Sequence, residues 1–443
     1  MKKHNNRIGL VILLAGLPFC STAQEVLTKA DAVSIAMENN FDIQAAKNNV
    51  EVAKNNAEIT NSGFLPTVSG NLGTSYSIND SESSLANGDV QTFPSQKTNS
   101  YNAGLNIDYS VFEGFGRKYN YAKLKENYDL SDLQARGVVE NTLFNLFNSY
   151  YEIARLTQNE INQRQTLGIS RERLLRAQYS FDYGQNTQLD VLNAEVDYNN
   201  DSIAYLTIAQ QLDTEKHNLN LLLGRDVNTT FAVDTALYFA DDLDFQTLAE
   251  NAQQKNVALL QQQANVRNAT YDVKIADSSI IPRIGLNSGY SWQKSENAQA
   301  NFFGQKGSSS TGLTIGATLS WNIWDGGLSN TRRQNSKIAF ENQQIIEKQT
   351  KLNLERDMSN AWTTYQTALF VMKAEGKNLE TNFRNFDRTQ EQYSLGQITS
   401  IEFRQAQLNL INAQLNFSQA GYSAKIAELA LLQLSGDILN AQF

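Results

Sequence analysis

The chain has 443 residues and a formal net charge of −9 at neutral pH, with 46 acidic residues against 37 basic ones. This balance argues against nucleic acid as a partner, because a polyanion is bound by clustered basic side chains. The single cysteine excludes a disulfide within the chain and a thiolate metal site.

The first 23 residues are typical of a signal peptide, with basic residues, an apolar run over 8–19 and small residues over 21–23. Cys20 leaves open a lipoprotein signal, although the bulky Phe19 before it favours simple removal. No later stretch approaches the about 18 apolar residues of a transmembrane helix. The pattern therefore predicts an exported chain that is periplasmic, secreted or inserted in the outer membrane.

The rest of the chain contains one unit written twice, with the first copy over 24–227 and the second over 245–443. Residues of the two copies keep a spacing of 216 in the pairs Pro66/Pro282, Asn40/Asn256 and Asn49/Asn265, and of 212 in the pairs Gly104/Gly316, Gly114/Gly326, Gly184/Gly396 and Gly224/Gly436. A fixed internal period indicates a repeat architecture, and such repeats are common in membrane transport folds.

Four segments alternate apolar and polar residues, at about 66–78, 100–112, 282–293 and 311–324. This period is typical of transmembrane β-strands, although a soluble sheet with one hydrated face shows it too. Four such strands in an exported chain favour the membrane. Because four strands cannot close a barrel and open edges are costly in lipid, we expect an oligomer, and three copies would supply twelve strands.

Long helices without proline are predicted over 117–181 and 329–393, each about 65 residues and about 98 Å long. Shorter returning helices are predicted over 188–223 and 245–278. Laid end to end, two short helices match one long helix in length. This places the connecting segment 228–244 near the middle of the long helices. A plain antiparallel coiled coil would explain the helices alone equally well.

Two similar turns, at about 182–188 and 394–400, join the helices at the end farthest from the strands. Glycine supplies a left-handed helix end and threonine can begin the next helix. The residues predicted to contact a partner at this end are Gly184, Gln185, Asn186, Thr187, Gly396, Gln397, Ile398 and Thr399.

The segments 64–66 and 280–282 entering the strands, 111–116 and 323–327 leaving them, and 184–194 at the tip resemble the TolC-type outer-membrane efflux channels. The resemblance covers essentially the whole exported chain. It implies mixed α and transmembrane β structure, with a trimeric twelve-stranded barrel in outer-membrane lipid continuing into a periplasmic α-helical tunnel. It also implies docking of the tips onto a periplasmic adaptor, itself joined to an inner-membrane transporter.

The resemblance also implies a periplasmic gate. Asp190 and Tyr393 match positions that hold the closed end in the family, and Glu402 matches an acidic ring position. Gln405 stands where some members carry a second acid, and Ile398 where some carry an arginine. We expect a ring of Glu402 side chains to be harder to ionise than an isolated glutamate, unless Glu402 simply caps a helix.

The function indicated is an export conduit, with no catalytic residue, cofactor or metal site. An enzyme based on His217 is disfavoured, because this residue lies in a helical pattern typical of a surface position. The alternative is an exported coiled-coil stalk or adhesin without channel activity, which would need neither two strand pairs nor two tips at one end.

Overall fold

The computed structural model describes residues 26–240, 243–300 and 305–440, so the predicted signal peptide and Cys20 lie outside the described residues. The first half contains β1 (Val26–Leu27), α1 (Lys29–Asn39), α2 (Phe41–Asn56), β2 (Thr67–Ser84), β3 (Val90–Glu113), α3 (Gly116–Asp182) and α4 (Gln188–Leu222). The second half contains β4 (Ala232–Val233), α5 (Phe245–Lys255), α6 (Val257–Ser278), β5 (Arg283–Asn297), β6 (Gly307–Ser320), α7 (Leu328–Ser394) and α8 (Ser400–Ser435). Each half thus runs through helices, a strand pair and a long helical hairpin.

The two strand pairs join into one antiparallel sheet in the order β2-β3-β5-β6. Its register places apolar residues opposite one another, since Leu105 pairs with Tyr290, which pairs with Leu313. The neighbouring row pairs Asn106 with Gly289 and Gly289 with Thr314. One face of the sheet is therefore apolar and the other polar, as the alternation in the sequence predicted.

The strands extend further than the sequence pattern indicated. Ser84 pairs with Val90, so the loop of the first pair is shorter than the gap between the predicted strands 66–78 and 100–112. In the second pair, Glu296 is opposite Gly307, and its loop is shorter than the gap between 282–293 and 311–324. These extensions carry mainly polar residues, so the apolar alternation ends before the hydrogen-bonded ladder does. At the opposite end, β6 stops at Ser320 instead of at the predicted residue 324.

On the polar face, asparagine side chains lie over glycines of the adjacent strand. A Cβ atom added at Gly104 would lie 2.7 Å from Asn71 Oδ1, so the asparagine side chain would have to move. The same arrangement occurs at Gly73 under Asn102, Gly289 under Asn106 and Gly316 under Asn287, at 2.5, 2.9 and 2.9 Å. Glycine at these strand positions therefore leaves room for the carboxamide of the neighbouring asparagine above the backbone.

The long helices α3 and α7 have 67 residues each and span about 100 Å, close to the predicted length. The single helix predicted over 245–278 is wrong, because the chain breaks at Asn256 between α5 and α6. Asn256 has extended backbone angles, and its Oδ1 accepts from the N–H of Leu259 at 3.1 Å. A side chain that caps the next helix in this way competes with continuous helix.

In each repeat an equivalent asparagine fastens this break to the returning helix. Asn40 Nδ2 donates to the carbonyl of Leu222 at 2.8 Å, and Asn256 Nδ2 donates to that of Leu434 at 3.0 Å. Gly224 follows close by with a φ of +66°, and an added Cβ would lie 2.3 Å from the carbonyl oxygen of Asn39. The junction therefore depends on a left-handed glycine that also permits close contact between the two backbone segments.

The main core lies at mid-height, where Phe147, Tyr150, Leu219 and Phe231 are buried together. The hydroxyl of Tyr150 donates to the carbonyl of Leu27 at 2.9 Å, beside the parallel pairing of β1 with β4. The connecting segment between the repeats therefore packs against the middle of α3.

A buried ion pair reinforces this level of the molecule. Lys425 Nζ lies 2.8 Å from Glu428 Oε1, and both side chains are 1% exposed. The N–H of Ala240 donates to the same carboxylate oxygen at 3.3 Å. Since an unpaired buried charge is costly, the backbone of the connecting segment helps hold the pair in place.

The two faces of the sheet should respond differently to charge. We expect Leu313→Lys, on the apolar face, to cost about 2–4 kcal/mol if this residue meets lipid near the membrane midplane. The adjacent Thr314→Lys, on the polar face, is the matched control and should be tolerated. The measurement is the unfolding free energy in lipid or detergent, and equal costs for both variants would contradict the assigned faces.

Candidate functional site

The two helical turns end α3 and α7 in the same way. Gly184 and Gly396 have φ values of +73° and +70°, in the left-handed region. The N–H of Gln185 donates to the carbonyl of Ser180 at 2.8 Å, as expected for a Schellman motif. An added Cβ would meet nothing within 4 Å at either glycine. Backbone conformation, not space, therefore accounts for glycine at both tips.

Both returning helices begin with a capping box. The Thr187 N–H donates to the Asp190 carboxylate at 3.0 Å, and the Asp190 N–H donates to Thr187 Oγ1 at 3.3 Å. In the second turn, the Thr399 N–H donates to Glu402 Oε2 at 2.8 Å, and the Glu402 N–H donates to Thr399 Oγ1 at 3.2 Å. The two predicted threonines and two predicted acids thus satisfy backbone donors at the helix starts.

The capping boxes also lower the pKa of both acids. Hydrogen bonds from the Thr399 backbone and side chain lower the pKa of Glu402 below its ordinary value. Those from the Thr187 side chain and backbone lower the pKa of Asp190 in the same way. Within one chain Glu402 caps α8, as the capping alternative expects, and the effect of a ring of three Glu402 side chains stays a prediction.

Tyr393 lies in a different environment from Asp190. Its ring stacks on Phe403 with centroids 4.5 Å apart and planes 13° apart, which joins α7 to α8. The Arg176 guanidinium lies 5.0 Å from the same ring. The hydrogen bonds of the Asp190 carboxylate go to Thr187, and within the described residues none joins it to the Tyr393 hydroxyl.

Two of the predicted gate residues line one cavity of about 290 Å³ between α4 and α8. Asp190 and Gln405 form part of its wall, together with Arg173, Asp197 and Arg404. The structure thus brings predicted gate positions close to charged residues that the sequence analysis did not single out.

Those charged residues form an ionic network across three helices. Arg404 of α8 donates to both carboxylate oxygens of Asp201 of α4, at 2.7 and 2.9 Å. Its Nε lies 3.4 Å from Asp197, which also accepts from Arg173 of α3. Ser170 of α3 donates to Asp201 as well. The first helical hairpin is therefore fastened to the last helix by charge-assisted hydrogen bonds.

Neutral side chains extend the network and exclude water from it. Gln407 Nε2 donates to the carbonyl of Thr166 at 3.2 Å and lies 3.3 Å from Ser170 Oγ. Gln163 Nε2 donates to the backbone carbonyl of Asp201 at 3.2 Å. Gln407 and Ser170 are 2% and 1% exposed. Local spacing could not have revealed the contacts of Gln407, because its partners Thr166 and Ser170 are more than two hundred positions away in the chain.

Metal ligands, His217 and membrane-spanning helices were the other features considered in the sequence. Among the described residues, no group of three or more His, Cys, Asp or Glu side chains could hold a metal ion. The exposed His217 lies on α4, as the sequence predicted. No helix in the described ranges has the length and apolar character to cross a membrane.

The glycine turns can be tested by substitution. We expect Gly184→Val or Gly396→Val to destabilise the turn by about 1–2 kcal/mol, because a β-branched residue strains the left-handed conformation. Asn is the control substitution, since it tolerates this conformation. Thermal unfolding and export should both be measured, and a valine variant matching the asparagine variant in both would contradict this account.

The capping boxes give a second test. Thr399→Ala should destabilise the start of α8 by about 1 kcal/mol. Glu402→Gln keeps an acceptor for the Thr399 N–H, so it should lower the melting temperature less than Glu402→Ala. Because the folded pKa of Glu402 is lowered, the stabilisation is present above the unfolded pKa and is lost as pH falls through the folded one. Equal melting of the two variants at neutral pH would argue against the cap.

Comparison with known proteins gives a consistent result. The family described as outer membrane efflux protein matches residues 32–225 and 248–437. Outer membrane efflux protein BepC of Brucella suis biovar 1 is 21% identical over 430 residues, covering 97% of this chain and 90% of that protein. Outer membrane protein TolC of Vibrio cholerae serotype O1 is 19% identical over 430 residues, covering 96% and 94%. The crystal structure of the Campylobacter jejuni CmeC outer membrane channel has a TM-score of 0.78 at 15% identity, covering 99% of this chain and 94% of that one.

The family match falls into two segments, one in each half of the chain. Similarity to CmeC extends over nearly the whole chain and therefore includes the strands, the long helices and both tips. The family is one of channels and not a family of enzymes. This chain belongs to the outer membrane efflux protein family and is a TolC-type outer-membrane channel.

Proposed function

We propose that three copies of this chain form the outer-membrane conduit of a tripartite efflux or secretion system, in which the helical tips dock onto a periplasmic adaptor joined to an inner-membrane transporter. The observation that carries this proposal is the four-stranded sheet with two open edges. In the described chain β2 pairs with β3 alone and β6 with β5 alone. Each edge would leave a row of backbone groups unpaired in lipid, at several kcal/mol per group.

Pairing β6 of one subunit with β2 of the next removes both edges. The strands alternate in direction through the sheet, so this new pair is antiparallel like the others. Three subunits would close a twelve-stranded barrel whose interior is too wide for side chains to fill. The polar face, with its asparagines and glycines, would line a water-filled bore.

The apolar face supports a lipid environment. Leu72 is 88% exposed and Ile315 is 75% exposed in the single chain. Pairing along the edges leaves this face uncovered, and large exposed apolar patches mark contacts with membranes or proteins. An exported stalk or adhesin would give these side chains no such partner, which is why the conduit is favoured over that alternative.

The helices carry the conduit away from the membrane. At about 100 Å, α3 and α7 extend well beyond the thickness of a bilayer. Both tips lie at the far end, where Gln185 and Gln397 follow the left-handed glycines. We assign adaptor contact to the two turns and gate positions to Asp190, Tyr393, Glu402 and Gln405.

The trimeric conduit is tested by mass and conductance. Protein extracted in mild detergent should have the mass of three chains, and it should conduct ions across a planar bilayer. A stable monomer whose strand amides are protected from hydrogen exchange would refute the shared barrel. A trimer that never conducts would refute the channel.

The tip contacts are tested by site-specific crosslinking. A photoreactive residue at Gln185 or Gln397 should crosslink to the adaptor in cells that express the complete system. Tyr128, on α3 far from the tips, is the matched control and should give no adaptor product. Crosslinks from Tyr128 with none from the tips would place the adaptor elsewhere.

A further inference from the structure

The two long helices carry only basic charges where they leave the sheet. Residues 116–125 of α3 and 328–337 of α7, which we call the basic collar, contain no acid. The bases of the collar are Arg117, Lys118, Lys123, Lys125, Arg332, Arg333 and Lys337. Over the next ten residues of each helix the sign of the charge reverses. These two segments contain no base, and their acids are Glu126, Asp129, Asp132, Glu341 and Glu347.

The helices themselves favour the opposite arrangement. The start of a helix carries partial positive charge, so acids near it are stabilising and bases are not. Neither α3 nor α7 has an acid in its first turn. The pattern occurs in both repeats, and Lys125 and Lys337 keep the repeat spacing of 212 positions. An anionic partner outside the helices accounts for bases at this unfavourable place.

Ring contacts connect the collar to the apolar face of the sheet. Tyr109 lies on that face by the alternation of its strand. The Arg117 guanidinium lies 5.9 Å from the Tyr109 ring and 5.3 Å from the Phe64 ring. The Phe64 ring meets that of Tyr121 edge-on at 6.1 Å, and Lys125 Nζ lies 4.5 Å from the Tyr121 ring. Arg117 and Lys125 are therefore on the apolar side of the sheet and not on the polar side.

The collar begins where the apolar face ends. Trp321 and Trp324, between β6 and α7, are 54% and 86% exposed, and exposed tryptophan is typical of the boundary between a membrane and water. Ten helical residues span about 15 Å, and lipid headgroups extend about 5–8 Å beyond the hydrocarbon. Because lysine and arginine have long side chains that keep their charge in the polar layer, the collar reaches the headgroups.

Acids of the chain neutralise part of the collar. The ion pairs are Arg117 with Glu113, Lys123 with Asp272 and Arg333 with Asp277. The other bases of the collar are exposed and form no ion pair within the described residues; they are Lys118, Lys125, Arg332 and Lys337. Each subunit therefore presents four unpaired positive charges at this level.

We propose that the collar binds the phosphate groups of anionic phospholipids in the membrane leaflet that faces the periplasm. The inference rests on the membrane-inserted trimer proposed above, which places four unpaired bases per subunit, twelve in all, around the barrel. Lysine and arginine hold phosphate through charge-assisted hydrogen bonds. The acids that follow on both helices repel the same lipids. The reversal of charge therefore sets the depth at which the barrel sits in the membrane.

Quenching of tryptophan fluorescence by brominated lipids tests the collar. The four tryptophans are Trp292, Trp321, Trp324 and Trp362. In a background with Trp292→Phe and Trp362→Phe, the fluorescence comes from Trp321 and Trp324 beside the collar. The trimer is reconstituted in vesicles that contain equal fractions of brominated phosphatidylglycerol or brominated phosphatidylcholine. We expect phosphatidylglycerol to bind about fivefold more tightly, as one base per lipid near an anionic surface would give.

Two variants with the same loss of charge separate the collar from net charge. The collar variant combines Lys118→Gln, Lys125→Gln, Arg332→Gln and Lys337→Gln, and it should bind both lipids equally. The control variant removes three lysines and one arginine that are exposed farther along α7, by Lys348→Gln, Lys351→Gln, Lys373→Gln and Arg388→Gln. The control should keep the preference of the parent protein. Equal loss of preference in both variants would overturn the proposal.

Salt gives a measurement that needs no collar variant. Raising the sodium chloride concentration from about 0.05 M to 1 M should bring the ratio of the two lipid affinities close to one, because the Debye length falls to about 3 Å. Equal quenching by both lipids at low salt would overturn the proposal. A preference for phosphatidylglycerol that survives 1 M salt or the collar variant would overturn it as well.

The trimer and the alternative anion are checked on the same samples. A trimer that conducts ions without any lipid preference would overturn the collar alone, whereas the absence of a membrane-inserted trimer would overturn both proposals. Peptidoglycan also carries anionic groups, so sedimentation with purified sacculi is measured for the parent protein and the collar variant. Cosedimentation that the collar variant loses, together with equal quenching by both lipids, would assign the collar to the cell wall and overturn the lipid proposal.

Discussion

The backbone of the two edge strands sets the main constraint on this molecule. A sheet of four strands inside lipid leaves the N–H and C=O groups of β2 and β6 without partners in the chain itself. Other copies of the chain must supply them, so subunit assembly completes the secondary structure. The wide bore, the polar face turned inward and the ring of helices below all follow from closing that sheet.

The two repeats contain equivalent hydrogen-bonded contacts. Asn40 and Asn256 break the helices of both repeats at the same place, and each binds the end of a returning helix. The capping boxes at Thr187 and Thr399 repeat in the same way. Each of these contacts joins residues of the same repeat, so each copy contains it. The ionic network around Arg404 instead joins helices from different repeats.

This difference also explains which features could be predicted. The strand faces, the long helices and the tip turns follow from periodicity and from glycine spacing within short segments. The polar ends of the strands were missed because a hydrated ladder needs no apolar alternation. The break at Asn256 was missed because helical composition continues through it. The pairing of Arg404 with Asp201 has no local signal, since only the packed helices bring these residues together.

The asparagines that cover glycines in the sheet affect what a cargo meets. In the rows that contain Asn71, Asn102 and Asn106, the wall consists of backbone, hydroxyls and carboxamides, and each carboxamide both donates and accepts. Such a surface exchanges hydrogen bonds with water as readily as with a solute. These three rows carry no charged side chain, so they give neither a cationic nor an anionic compound a fixed charge to bind.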